Sequence, residues 1–257
     1  MHSRTERDSM GELQVPGNAL YQAQTQRAVQ NFQLSHLTLP PAFIRALLQI
    51  KKAAASANQQ LGLLDANIAT AISQAADLQL ADFDMQQYPV DVFQTGSATS
   101  SNMNVNEVLA TLASRQLGQT VNPNDHVNLG QSSNDTIPSA IHVSAALAIQ
   151  QQLLPALQHL QLVLVSKSQH IGHIVKTGRT HLMDAMPVSF SQVLGGWQAQ
   201  LAQAEHGLQQ LQHLQALAQG GTAVGSGINA DPRFASLFCQ QLSDNTGLAF
   251  RPAANFF

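Results

Sequence analysis

The sequence predicts a mainly α protein, with a mixed and mostly helical first domain over 1–131 and an incomplete long-helix bundle over 132–257. Three observations carry this. Apolar residues recur at helical spacing through most of the chain. Trp197, Leu201, Ala204, Leu208 and Leu211 follow the 4-3-4-3 spacing of a bundle seam. Only Val90 to Gln94 has strand-like character. Hydrophobic residues make up 44% of the chain and charged ones 11%, a balance that excludes a disordered chain.

The elements follow in order. Residues 1–37 read as irregular, with Pro16-Gly17-Asn18 as a turn. Pro40 and Pro41 precede a helix carrying Phe43, Leu47, Ile50, Ala54 and Ala57, and Gly62 ends it. Asp65 is placed to cap a second helix that runs to about Leu80. A turn-rich stretch covers 82–101, and Asn104 to Leu117 reads as a helix stopped at Gly118. From about Pro138 a long helix runs to about Ile171, with Leu147, Leu154, Leu157, Leu160 and Leu164 on one stripe and a kink expected at Pro155. TGRTHLMDAMP (177–187) reads as a polar turn between helices, and Ser189 opens a second long helix to about Leu217. GGTAVGSG (220–227) reads as a flexible loop, and Asp231-Pro232 opens a short last helix to about Leu242. A hairpin cannot cover both apolar sides of two long helices. Their partners are therefore expected in other chains or in sequence absent from this one, and the stripe from Trp197 to Leu211 predicts aggregation or partner dependence.

With 12 basic and 15 acidic residues and no basic patch, nucleic acid and anionic membrane are excluded as expected partners. A small anionic ligand stays open, because local charge can oppose the net sign. The single Cys239 leaves no intramolecular disulfide and no cysteine-rich metal site, which fits a cytoplasmic protein. The start, MHSRTERDSMG, has no apolar core of a signal peptide. Gln and His break the apolar runs short of the roughly 18–20 residues that span a bilayer, so a soluble chain is expected.

Polar islands interrupt the helices: TGSATSSNMN (95–104), NPNDHVNLGQSSND (122–135), TGRTHLMDAMP and GGTAVGSG. Taken singly they are unremarked. Ser133, Asn134 and Asp135, like Asn102 and Asn104, are placed as caps just before helices. His142, His159, His170, His206 and His213 lie on helices among glutamines and read as solvated. Gly220, Gly221, Gly225 and Gly227 follow no strand and match no P-loop. No His/Asp/Glu cluster has metal spacing, so no metal is implied.

Taken together, the islands resemble the class II fumarases of the fumarase/aspartase superfamily. The matching stretches are QTGSATSSNMNVNEVLA (94–110), NPNDHVNLGQSSNDTIPSAIHV (122–143), GRTHLMDAMPVSFSQVLGGW (178–197) and GGTAVGSGIN (220–229), with RDSMGELQVP and AQTQRA near the start. The resemblance implies the helical-bundle fold of that superfamily and reversible hydration of fumarate to L-malate, a step of the tricarboxylic acid cycle. It implies no metal and no organic cofactor. Hydration passes through a carbanion whose charge spreads onto the neighbouring carboxylate, so a site of this kind must hold that charge. By resemblance, Ser97 and Thr99, with Ser132, Ser133 and Asn134, bind substrate. Thr180 pairs with His181, the catalytic histidine that assists proton transfer to or from the water, a task suited to an imidazole at neutral pH. Arg179 would orient this segment or add positive potential. Aspartases usually carry Gln where His181 stands and Ser-Thr-Asn where Ser132 to Asn134 stand. One cysteine also excludes the iron–sulfur fumarases.

Departures from the pattern are specific. The family's second dicarboxylate site usually contains His-Pro-Asn-Asp, where this chain has Asn122, Pro123, Asn124 and Asp125. Ala98 stands where a glycine is usual, an unfavourable choice if the backbone there needs positive φ. The chain stops at AANFF. The resemblance implies a continuation with a Gly-Ser-Ser loop bearing the catalytic base serine, a substrate-gripping lysine and asparagine, further bundle helices and a small C-terminal domain. It also implies a homotetramer whose active sites draw on three subunits. An aspartase-type lyase, and an inactive or scaffold-like helical protein, remain open beside the fumarase reading.

Overall fold

The computed structural model describes residues 3–8 and 10–257. It is mainly α, as expected, and divides into two compact units, Met1–Ser144 with Leu214–Phe257 and, separately, Ala145–His213. The sequence motif RDSMGELQVP includes Ser9, which with Met1 and His2 lies outside the described residues.

In the first unit, residues 1–37 are not irregular. Strands β1 (Ser3–Asp8) and β2 (Gly11–Pro16) form an antiparallel hairpin, followed by helix α1 (Ala23–Asn31). Inside and outside alternate along β1, but between polar side chains, so no hydrophobic period of two marks it. Arg27 donates to Asp8 at 2.8 and 2.9 Å, tying α1 to the hairpin and holding the Asp8 carboxyl below its usual range. Helix α1 has no cap of its own. Its first N–H groups are taken by the Glu107 carboxylate: Gln22 and Gln24 donate at 2.9 Å and Thr25 at 3.1 Å. Burial raises the Glu107 carboxyl, while these donors and the Thr25 hydroxyl pull it back down.

Helix α2 (Pro41–Gln60) starts on a proline, where the missing N–H is harmless, and ends before Gly62 at φ +73°. Asp65 caps helix α3 (Ala66–Ala81), accepting from Asn67 and Ile68 N–H at 2.8 and 3.3 Å. The strand-like stretch Val90 to Gln94 forms only an isolated bridge between Asp91 and Thr38. The Asp91 carboxylate instead accepts the N–H groups of Ser35 and Phe93, so side-chain bonds replace a ladder. Helix α4 (Thr99–Leu117) begins earlier than Asn104, and Gly118 ends it in the left-handed conformation. Asn102 and Asn104 are thus buried inside a helix and are not caps. Residues 123–127 make a π-helical turn.

Helix α5 (Ser133–Ala148) also starts earlier than expected and carries Pro138 within it. A π-helical turn over 149–153 leads into α6 (Leu154–Ile171), where Pro155 occupies the first turn. The expected break near Pro155 is therefore a π turn just before it.

In the second unit, TGRTHLMDAMP is not a simple turn between helices. Strands β3 (Val175–Thr180) and β4 (Met183–Ser189) pair antiparallel, with Pro187 inside β4. Both strands are largely exposed on both faces, so no apolar alternation announces them. Ser189 then caps α7 (Phe190–Gln209) in a reciprocal capping box with Gln192. Helices α6 and α7 pack together, and Gln158 and Gln161 donate to Glu205 at 2.8 and 2.6 Å. Leu154 is the buried residue of α6 and Leu194 that of α7.

Helix α7 ends before the expected Leu217, because Ala216–Leu217 form strand β5 of the first unit. It pairs in parallel with β6 (Arg251–Pro252), beyond helix α8 (Phe234–Thr246). That pairing overrides the helical period. His142 is half-buried, its Nδ1 3.1 Å from the Ala216 carbonyl oxygen. Among the described residues no helix is long and apolar enough to cross a membrane.

Replacing Glu107 by Ala should lower unfolding stability by about 2–4 kcal/mol, because several donors lose their acceptor at once. Asp65→Ala, which removes one local cap, should cost about 1 kcal/mol. Urea unfolding of both variants checks the order.

Candidate active site

The polar islands of the first unit come together at the N-terminal ends of α4 and α5. Ser97 Oγ donates to Asn134 Oδ1 at 2.6 Å, and Thr99 Oγ1 lies 2.9 Å from Ser133 Oγ. Segments more than thirty residues apart thereby share one cluster of hydroxyl and amide groups. Ser97 and Asn134 are exposed, while Thr99, Ser132 and Ser133 are half-buried. Hydroxyl and amide groups of this kind can hold carboxylate oxygens.

The approach to α4 is strained. Ser97 has φ 56° and Ala98 has φ 44° with ψ 38°, two consecutive left-handed non-glycine residues. The positive φ at Ala98 is the conformation that a glycine would adopt freely. The turn aims Ser97 at Asn134, and the Thr99 hydroxyl also donates to the Gly96 carbonyl at 3.1 Å.

The loop before α5 is fixed from below. Ser132 N–H donates to Asp135 Oδ1 at 2.8 Å, and Gly220 N–H donates to Asp135 Oδ2 at 3.0 Å. Burial raises the Asp135 carboxyl above the usual carboxylate range, and these two N–H groups pull it back. Gly220 has φ +99°, a conformation that favours glycine, and an added Cβ would stand 3.1 Å from the Ala235 Cβ, a tight contact. The GGTAVGSG segment is no free loop: Thr222 Oγ1 bonds the Ile228 carbonyl, and Gly225 and Gly227 N–H bond Gly221 and Thr222 carbonyls. With Gly130, Gln131 and Ser132 it encloses a cavity of about 250 Å³.

Deeper still lies Lys51 of α2. It is fully buried, and its ammonium donates to Asn128 Oδ1 at 2.8 Å and Gln131 Oε1 at 3.0 Å. Asn102 Nδ2 donates to the same Asn128 oxygen at 3.2 Å, and Asn58 Nδ2 donates to the Leu129 carbonyl at 2.9 Å. Burial pushes the Lys51 ammonium down to about 7, against the through-space pull of Asp135. Sequence reasoning missed Lys51, Asn128, Gln131 and the anchoring role of Asp135. One signal was present: Lys51 falls four residues after Leu47 and three before Ala54, on the apolar stripe of α2.

Thr180 and His181 belong to the second unit. His181 and Leu182 form the two-residue turn of the β3–β4 hairpin, with φ 51° and 61°. Two consecutive positive φ values are what a tight type I′ hairpin turn requires, usually from Asn-Gly. His181 is exposed and so held out at the hairpin tip, and Leu182 is 98% exposed beside it. Arg179 pairs across the hairpin with Asp184, their charged groups 3.8 Å apart and exposed.

Residues Asn122, Pro123 and Asn124 line a different cavity of about 280 Å³, together with Arg7, Asp8, Gln22 and Glu107. Asp125 is not among its lining residues. The Asn122 side chain is spent locally, accepting from Asn124 and Asp125 N–H at 2.8 and 3.0 Å. Among the described residues no group of three or more His, Cys, Asp or Glu is placed to hold a metal ion.

The fold is that of a mainly helical protein whose polar islands gather at two helix starts. The chain belongs to the lyase family, whose model matches residues 11–257. It is 64% identical over 257 residues to "Fumarate hydratase class II 2" of Pseudomonas aeruginosa, covering 99% of this chain and 56% of that protein. It is 53% identical over 256 residues to a fumarate hydratase class II of Xylella fastidiosa, covering 99% and 54%. The chain thus spans about half the length of the curated relatives it matches. Among solved structures it is similar to the class II fumarase of Schistosoma mansoni, with a TM-score of 0.94 and 38% identity over 100% of this chain and 58% of that one. A fumarate lyase:delta crystallin of Brucella melitensis gives a TM-score of 0.87 at 36% identity, over 99% and 59%.

Ala98→Gly should stabilise the first unit by about 0.5–1 kcal/mol, the relief of a left-handed alanine less the extra backbone freedom of glycine. A rise in the thermal midpoint checks this.

Proposed function

We propose that this chain is the N-terminal part of a class II fumarate hydratase, which adds water reversibly across fumarate to give L-malate. The observation that carries the proposal is the pairing of Ser97 with Asn134 and of Thr99 with Ser133, which builds one cluster of hydroxyl and amide groups from two distant segments. The family membership and the similarity to fumarate hydratases support the choice of substrate. In this reading Ser97, Thr99, Ser132, Ser133 and Asn134 bind the substrate carboxylates. His181, with Thr180 beside it, moves a proton to or from the water that becomes the malate hydroxyl. In hydration that oxygen bonds one alkene carbon and a proton is delivered to the other. The negative charge formed between these events spreads onto the adjacent carboxylate, where fixed donors stabilise it. No cofactor enters this scheme. His181, where aspartases usually carry Gln, favours water over ammonia as the added group.

The division into a lyase domain over 1–131 and the start of a central bundle over 132–257 belongs to the same proposal. So do a homotetramer and a cytoplasmic location. The apolar flanks of α6 and α7, with Leu162 70% exposed and Trp197 55%, suit further bundle helices from other copies. A second dicarboxylate site at Asn122 to Asp125 is disfavoured, because Asp8 and Glu107 line the adjoining cavity.

Co-expression of this chain with the remaining C-terminal portion of the Pseudomonas aeruginosa relative tests the reading. Fumarate absorbance should appear from L-malate in the complemented sample. His181→Asn should lower kcat by roughly 10²-fold or more. Absence of turnover from a folded, complemented pair would sink the proposal.

A further inference from the structure

We infer that Lys51 is the positioning residue of the substrate-carboxylate loop: its buried ammonium holds Asn128 and Gln131, and makes the loop select a doubly charged over a singly charged ligand. The inference rests on the dicarboxylate reading above.

The geometry is specific. Gln131 immediately precedes Ser132, the first of the three loop residues at the donor cluster. Its side chain is clamped at both ends, for Oε1 accepts from Lys51 while Nε2 donates to the Val127 carbonyl at 3.0 Å. Asn128 accepts from Lys51 and from Asn102, and donates to the Gln131 carbonyl at 3.2 Å. The lysine therefore fixes both ends of the turn that delivers Ser132 to α5.

Its charge is equally telling. A fully buried ammonium usually has a carboxylate in contact, yet both acceptors named above are neutral amide oxygens. Asp135 favours the charged lysine only through space, and its own oxygens are engaged by the N–H groups of Ser132 and Gly220. A cation whose hydrogen-bond partners are neutral, in an interior of low dielectric, attracts anions at the adjoining surface. The donor cluster itself consists of hydroxyl and amide groups. Neutral donors bind one carboxylate much as another. The positive charge of a protonated Lys51 beneath them adds attraction for each further negative charge on the ligand.

The test is an NMR titration of the isotope-labelled 257-residue chain with fumarate, a dianion, and with fumaramate, its monoanionic monoamide. Fumarate should shift the amide signals of Ser97, Thr99 and Ser132 to Asn134 and bind more tightly than fumaramate. In Lys51→Met the fumarate-to-fumaramate affinity ratio should fall about tenfold, the size expected for one buried charge acting on one extra ligand charge. General loosening of the loop would weaken both ligands alike and leave the ratio unchanged, which would overturn the inference and leave the function standing. Fumarate that shifts those amides neither in the unsubstituted chain nor in its complex with the C-terminal portion of the Pseudomonas aeruginosa relative would overturn the dicarboxylate reading and this inference with it. If Lys51→Met does not fold, the Lys51 Nζ signal of the unsubstituted chain decides. It should move on saturation with fumarate and move less with fumaramate, and a signal indifferent to fumarate would refute the role.

Discussion

A single buried carboxylate, Asp135, is the constraint on which the first unit's site depends. One oxygen takes the N–H of Ser132 and the other the N–H of Gly220, so the loop before α5 and the glycine segment are tied to one point. Burial makes that charge unfavourable unless its donors stay in place. The donors are backbone groups, which cannot swing away as side chains can. The serine, threonine and asparagine side chains above inherit this rigidity. Their partners lie on the α4 side, where a strained left-handed turn sets the direction of Ser97. Two helix starts are thus aimed at each other by a charge below and by backbone strain above.

The second unit follows different rules. Its helices bury little beyond their mutual contact, and its hairpin is exposed on both faces. Backbone pairing rather than apolar burial gives the hairpin its form. Gly178 shows how tight that pairing is: an added Cβ would stand 2.5 Å from the Met186 carbonyl oxygen, at the point where the strand register shifts. The result presents an imidazole at the end of a narrow arm.

Much of this was legible in the sequence. Helices with an apolar stripe and local punctuation, such as Pro41 to Gln60 and the Asp65-capped helix after it, came out close to their true limits. The alanine in a glycine's place at residue 98 raised the question of positive φ, and the backbone there is left-handed. The elements that escaped share a physical cause. The strands of the hairpin at 175–189 have no buried face, so no period of two appears in their apolar residues. The first helix takes its cap from Glu107, and no local pattern can show that. The resemblance named residues at the donor cluster, but it did not name the layer beneath. Lys51 carries no motif, and its place on the apolar side of its helix is the one mark of its burial.

The remote cap of α1 also bears on the order in which the chain takes shape. Thr25 and its acceptor Glu107 are 82 residues apart. A helix of nine residues is too short to persist alone in water. A ribosome adding about 5–20 residues per second needs roughly 4–16 s to make the intervening stretch. Throughout that interval α1 lacks its cap, and the hairpin that Arg27 would anchor has no stable helix to lean on. The segment around α1 is made before α4 and is structured only when α4 leaves the ribosome and carries the Glu107 carboxylate back to it.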